Sequence, residues 1–133
     1  MADTLKLEVV SPERLLVSED VEMVIVPGTE GVFGVLPQHA PTLSTLKPGF
    51  IEVYKAGAVA ERLFVTGGFA EVTPAACTVL VDEAIPQSTL TREYAAERLS
   101  AAKTRLDTAV GEDESRSART AFTVAEAISE AVH

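Results

Sequence analysis

At 133 residues and a formal charge of −9, the chain can hold one ordinary domain, or a small domain with an appendage, and its field repels nucleic acid and anionic lipid headgroups. Apolar residues make up 47% but aromatics only 5%, with no tryptophan, so a core must rest on Val, Leu, Ile and Ala. The single cysteine, Cys77, excludes an intrachain disulfide and a multi-cysteine metal site, and no run of about 18 apolar residues offers a membrane span.

The start, Met1-Ala-Asp-Thr-Leu-Lys6, lacks the basic and apolar regions of a secretory signal, so a cytosolic setting is the default expectation. Residues 1–87 carry five basic and twelve acidic side chains; residues 88–133 carry six and eight. Solubility alone accounts for such a surface. A protein of this charge that worked at a membrane would be docked there by a protein partner, without direct lipid insertion.

Residues 5–83 read as strands. Leu5, Leu7 and Val9 alternate with Lys6 and Glu8, the period of a half-buried strand. Val21-Glu-Met-Val-Ile-Val26 is a denser apolar run ended by Pro27-Gly28, and Val32-Phe-Gly-Val-Leu36 is short and stops at Pro37. Phe50–Tyr54 and Arg62–Thr66 flank Ala56-Gly57-Ala58, which spells a hairpin. Gly67-Gly68 bends the chain into Phe69–Thr73, and Cys77–Val81 follows Pro74-Ala-Ala. Many short strands with frequent turn signals predict a sandwich or flattened barrel.

The pattern changes after Pro86, and Ile85–Leu90 is the candidate hinge. Thr91 is suited to cap a helix, with Glu93 favourable in its first turn. Ala95, Leu99, Ala102, Leu106 and Ala109 form one stripe, Gly111 reads as a C-cap, and Glu112–Ser115 as a polar loop. A second stripe holds Ala118, Ala121, Phe122, Ala125, Ile128 and Val132. Two such helices predict an antiparallel hairpin whose alanine-rich seam buries little area and leaves it marginal alone.

The most unusual stretch is Gly28–Pro41, with three glycines, two prolines and His39 between apolar strands. Loops with so many special backbone requirements commonly present a surface. Gly28, Gly31 and Gly34 are not a dinucleotide fingerprint, because no helix follows and Pro37 interrupts. His39 and His133 are the only histidines. No nucleophile, paired carboxylate or ligand spacing accompanies His39, so it reads as a turn or interface residue ahead of a catalytic base.

Three stretches then carry a resemblance: Leu7-Glu-Val-Val-Ser-Pro-Glu-Arg14, Gly31-Val-Phe-Gly-Val-Leu-Pro-Gln-His-Ala-Pro-Thr-Leu-Ser-Thr-Leu-Lys-Pro-Gly49 and Phe64-Val-Thr-Gly-Gly-Phe-Ala-Glu-Val72. In order and spacing they resemble the epsilon subunits of bacterial F-type ATP synthases. The Gly-x-x-x-Pro-x-His-Ala-Pro part is specific; the carboxy-terminal helices match in architecture more than in residues.

The resemblance implies an all-β sandwich of about ten strands over residues 1–87 and an antiparallel two-helix hairpin over 88–133. It implies a rotor subunit in the central stalk that binds gamma and the c ring and couples proton translocation to ATP synthesis. Catalysis would belong to the alpha and beta subunits, with which the hairpin makes at most transient contact; no cofactor or metal is expected. The location would be peripheral, on the cytoplasmic face of the bacterial inner membrane. Glu30, Gly31 and Val32, with His39, correspond to positions facing the c ring, although relatives often carry an acidic or polar residue where Val32 stands. Ser11 and Ala40, Pro41, Thr42, Leu43 and Ser44 correspond to positions against gamma.

Many relatives bind ATP through an Ile/Leu-Asp-x-x-Arg-Ala pattern at the start of the first helix. Here the residues are Leu90-Thr-Arg-Glu-Tyr-Ala95, with Thr91 for the aspartate and Tyr94 for the arginine. ATP binding is therefore expected to be absent or very weak. Inhibition of ATP hydrolysis by an extended hairpin draws on basic residues of the last helix, whereas residues 120–133 hold no Lys or Arg and two glutamates, Glu126 and Glu130. The competing readings are an ATP-sensing inhibitor, an adaptor for an unrelated partner and, remotely, a small sandwich enzyme with His39 as base.

Overall fold

The structure, a computed structural model, describes residues 4–132; Met1–Asp3, part of the segment read for a leader, and His133 lie outside the described residues. The chain divides between Pro86 and Gln87 into two compact units. The first contains ten strands: β1 (Leu5–Val10), β2 (Leu15–Val21), β3 (Met23–Gly28), β4 (Gly31–Val35), β5 (Thr42–Leu46), β6 (Gly49–Lys55), β7 (Ala58–Val65), β8 (Gly68–Val72), β9 (Ala76–Val81) and β10 (Ala84–Pro86). Their order is β10-β7-β6-β3-β5-β8-β9-β1-β2, with β4 added to β3. Every pairing is antiparallel except β1 with β9.

Alternation places the core. Leu5, Leu7 and Val9 of β1, Ala70 and Val72 of β8, and Cys77, Val79 and Val81 of β9 all turn inward. They meet Val24 and Val26 of β3, Val35 of β4, Leu46 of β5, Ile51 and Val53 of β6 and Val65 of β7 in one cluster. Two halves of one curled sheet thus pack face to face as a sandwich. Each buried Val or Leu contributes about 1.5–3 kcal/mol. The curl brings β2 back to the β6–β7 hairpin, where Lys55 Nζ meets Glu19 Oε2 at 2.8 Å and the Gly57 N–H donates to Glu22 Oε1 at 2.9 Å. That hairpin closes on Ala56 and Gly57, both at positive φ, the geometry of a type I′ turn.

Among the glycines, Gly68 at the Gly67-Gly68 bend has the least room for a side chain. Gly68 has φ 138°, and a Cβ there would run into the Leu80 carbonyl and stand 2.9 Å from the Val81 Cα. Only glycine lets β8 start against β9 at this register.

Three strands go beyond what the residue pattern announces. β2 sets Ser18, Glu19 and Asp20 in a row before the buried Val21, and β5 reads Thr-Leu-Ser-Thr-Leu, so neither shows a clear apolar period. β10 takes in Ile85 and Pro86, the start of the stretch expected as a hinge, and pairs with β7. The run from Val21 is also two elements: Val21 ends β2, and β3 begins at Met23.

In the second unit a single 3₁₀ turn, Gln87–Thr89, precedes α1 (Arg92–Thr108) and α2 (Glu112–Ala131). Thr91 caps α1, its Oγ1 accepting from the Tyr94 N–H at 3.1 Å. Both expected stripes face inward: Ala95 and Ala102 of α1 are buried, as are Ala118, Ala125 and Ile128 of α2, joined by Val124. The interhelical loop differs from expectation. Gly111, at φ 85°, is the N-cap of α2 rather than a C-cap of α1, and Glu112–Ser115 is helix rather than loop. Acidic side chains at Glu112, Asp113 and Glu114 favour the positive end of a helix dipole, which explains why this polar stretch is helical. The earlier start also puts Arg116 and Arg119 on α2.

Candidate partner-binding surface

Glu30 and Gly31 lie at the β3–β4 hairpin, where Gly28 pairs with Gly31. A Cβ on Gly28 would fall 2.8 Å from the Gly31 carbonyl oxygen and 2.9 Å from the Phe33 ring, so the hairpin closes too tightly for a side chain there. The tip is also tied sideways to β5. The Thr29 N–H donates to the Thr45 carbonyl at 2.9 Å, the two threonine hydroxyls are 2.9 Å apart, and the Lys47 N–H donates to the Pro27 carbonyl at 2.9 Å. On this stiff support Glu30 is exposed and Val32 is 64% exposed. The tip offers a carboxylate beside an apolar side chain.

At the other end of β4, Leu36–His39 forms a turn in which the His39 N–H donates to the Leu36 carbonyl at 3.1 Å. Pro37 fits its second position, and Gln38, at φ 68°, takes the third, as in a type II turn. The Gln38 N–H donates to the Pro74 carbonyl at 2.7 Å, pinning the turn to the β8–β9 loop. His39 Nδ1 lies 2.7 Å from the Ala40 carbonyl oxygen, and its ring centroid is 6.4 Å from that of Phe33.

In the chain His39 comes after β4, whereas Glu30 and Gly31 stand at the start of that strand; its ring faces Phe33, the neighbour of Val32. His39 also adjoins Ala40–Ser44, the stretch that enters β5.

Ala40 and Pro41 are exposed, and Thr42, Leu43 and Ser44 belong to β5. Register relates β5 to the rest of its half-sheet. Leu43 stands opposite Glu71, which is opposite Thr78, which is opposite Glu8. The next outward row runs Thr45, Phe69, Leu80, Val10 and, past a bulge, Leu15. In this row Phe69 is 42% exposed, Leu80 38% and Leu15 53%, with Val10 half-buried between them, and Leu43 of the neighbouring row is 72% exposed.

Ser11 follows Val10 at the end of that row, in a turn closed by two backbone hydrogen bonds with Arg14, at 3.0 and 3.3 Å. A shallow recess beside it is lined by Val10, Ser11, Pro12, Phe69, Leu80 and Asp82. A second recess uses Pro41, Thr42, Leu43, Glu71 and Thr73. Ser11 and Leu43 thus belong to one outer face, although 32 positions separate them in sequence. Ser44 points the other way, on the inward phase with Leu46.

Sequence reasoning missed Phe69, Leu80, Val10 and Leu15. Their signal was phase: Cys77, Val79 and Val81 face the core, so Leu80 between them faces out.

In the helical unit Leu90 is half-buried, Thr91 acts as a cap, and the Tyr94 hydroxyl accepts from Arg98 Nη1 at 2.9 Å. Arg105 Nη2 donates to the Ser117 hydroxyl at 2.6 Å, bridging the helices. Tyr94, Arg98 and Arg105 line one groove with Glu97, Ala101 and Ala121. Among the described residues no group of three or more His, Cys, Asp or Glu is placed to hold a metal ion.

The β-sandwich domain model of the ATP synthase delta/epsilon chain matches residues 4–87. The ATP synthase epsilon chain of Rhodospirillum rubrum is 55% identical over 128 residues, which is 96% of each chain. This chain belongs to the ATP synthase epsilon-chain family. The epsilon chain of Paramagnetospirillum magneticum is 48% identical over 132 residues, 99% of each chain. A chain of the Euglena gracilis mitochondrial ATP synthase, in an assembly of OSCP, F1 and c ring, superposes with a TM-score of 0.79 at 26% identity, covering 100% of this chain and 84% of that one.

A chain of the Tetrahymena thermophila mitochondrial central stalk and c ring shares the fold, with a TM-score of 0.65 at 13% identity, covering 97% of this chain and 96% of that one. As an epsilon chain, the protein is a non-catalytic stalk subunit of the membrane-bound ATP synthase complex. None of its described helices is long and apolar enough to cross a membrane.

Proposed function

We propose that this subunit is a rotor coupling element that binds gamma and the c ring and has little or no ATP-binding or inhibitory power of its own. One observation carries the reading: the apolar row Leu15–Val10–Leu80–Phe69, exposed except for the half-buried Val10, with the exposed Leu43 beside it, lies on the outer face of the sandwich. A contiguous apolar face rimmed by Glu8, Glu71 and Asp82 fits a large protein partner. Gamma would cover this face, including Ser11 and the stretch from Ala40 to Leu43, and His39 adjoins that stretch in the chain.

The Glu30–Gly31–Val32 tip, at the opposite end of β4, would meet the c ring. Docking through proteins would hold the acidic subunit on the cytoplasmic face of the bacterial inner membrane, coupling proton passage to ATP synthesis. The sandwich, residues 1–87, would be the anchoring domain and residues 88–133 the dispensable one.

Tyr94 supports the absence of ATP binding. It occupies the position of the phosphate-facing arginine in the family pattern, and its hydroxyl is already bonded to Arg98. Calorimetry on the isolated subunit should give no stoichiometric binding at micromolar ATP. The inhibitor reading draws on Arg105, Arg116 and Arg119, which stand on the helices near the interhelical loop. Truncation after residue 87 separates the two: the coupling reading expects ATPase activity of the complex to stay nearly unchanged, and several-fold activation would establish the inhibitor.

A further inference from the structure

The imidazole of His39 is held in one tautomer. Its Nδ1 lies 2.7 Å from the Ala40 carbonyl oxygen, which also accepts from the Thr42 hydroxyl at 3.0 Å. A carbonyl has no proton to give, so the proton of the first bond sits on Nδ1 and the neutral ring keeps its free lone pair on Nε2. Nε2 has no partner among the described residues, nor is it among their buried unsatisfied atoms. It is open to the surroundings.

The ring is also fixed in place. The turn that carries it is closed from Leu36 and pinned to Pro74, and Phe33 stands beside it. Exposed apolar side chains lie on either side in sequence, Leu36 at 55% and Leu43 at 72% exposure. A partner that covers such a surface removes water from Nε2, and an acceptor buried without a donor opposes binding.

We infer that His39 presents Nε2 as a fixed hydrogen-bond acceptor to an N–H donor of the gamma subunit, and so sets the register of that interface. The inference rests on the reading of this face as the gamma contact. It names the chemistry of one point within it: the complement to His39 is a donor, not a carboxylate or an apolar group.

Two measurements test this. Nitrogen NMR of the isotope-labelled imidazole, in the isolated subunit at a pH where the ring is neutral, should place the proton on Nδ1; a ring protonated on Nε2 overturns the inference. Titration of gamma should then rank three variants. His39→Phe keeps a ring beside Phe33 without an acceptor and should weaken binding about tenfold, while His39→Gln keeps an acceptor oxygen and should stay within about threefold of wild type.

Equal losses in both variants, or none in His39→Phe, overturn the acceptor role. Phe69→Asp puts a charge into the apolar row and should abolish binding. Loss in Phe69→Asp alone removes only the role of His39. If Phe69→Asp and His39→Phe both bind like the wild type, the gamma face is misassigned and the acceptor role falls with it.

Discussion

The sandwich and the helical hairpin are held together by different means. The sandwich buries branched side chains from nine of its ten strands in one cluster, and its backbone is locked by ladders on every strand. The hairpin closes on Ala95, Ala102, Ala118 and Ala125, with only Val124 and Ile128 as large buried side chains. An alanine contributes a fraction of what a valine or isoleucine does, so the helices approach closely but cohere weakly. Stability is concentrated in the unit that carries the proposed interfaces. The second unit is the kind of element that opens first.

Three substitutions would break or sharpen this contrast. The largest effect belongs to Gly68→Ala. Its Cβ would strike the Leu80 backbone where neither strand can retreat, and the residue would be held at φ 138°. A cost of about 4 kcal/mol is expected from such a clash, with urea unfolding as the check. A loss below 1 kcal/mol would mean that β8 and β9 are less tightly joined than described.

Cys77 comes next. Burial on the inner face of β9 raises its thiol to about 11. The folded state therefore holds this proton more tightly than the unfolded chain. The associated stability is complete below about pH 9 and is lost as pH rises towards about 11, amounting to about 2–3 kcal/mol. Cys77→Val should flatten that alkaline decline while leaving neutral stability within about 1 kcal/mol. An unchanged decline would show that other groups titrate there.

The smallest effect is that of Thr91→Ala, which removes the acceptor for the Tyr94 N–H at the start of α1. About 1 kcal/mol is expected, read by hydrogen exchange as faster opening of α1 amides with sandwich amides unmoved. Loss of protection across both units would show that they unfold together.

Most of the sandwich was legible because its inner strands obey a period of two: Leu5-Lys-Leu-Glu-Val9 and Cys77-Thr-Val-Leu-Val81 announce both strand and face. β2 and β5 were not, because neither shows a regular apolar alternation at its place in the sheet. The helical stripes were legible down to Ala118 and Ile128. The loop between them was misplaced because four polar residues in a row look like solvent-exposed coil until the dipole of the following helix is counted.

For the site, residue patterns marked the turns, while only the family resemblance set Ser11 and Leu43 on one surface. That neighbourhood exists only through the β5–β8–β9–β1 register. The short strand between Glu30 and His39 was legible, since Val32–Leu36 is apolar and ends at Pro37.

The parallel pair of β1 with β9 has a consequence for how the protein is made. β1 leaves the ribosome well before β9, yet one of its edges cannot be satisfied until β9 emerges, about seventy residues later. Until then Leu5, Leu7 and Val9 belong to a hairpin with β2 that lacks the rest of its core. The nascent chain must carry this apolar edge unpaired, so completion of the sandwich is a late event in synthesis. The order in which the chain is made thus runs against the order in which its sheet closes.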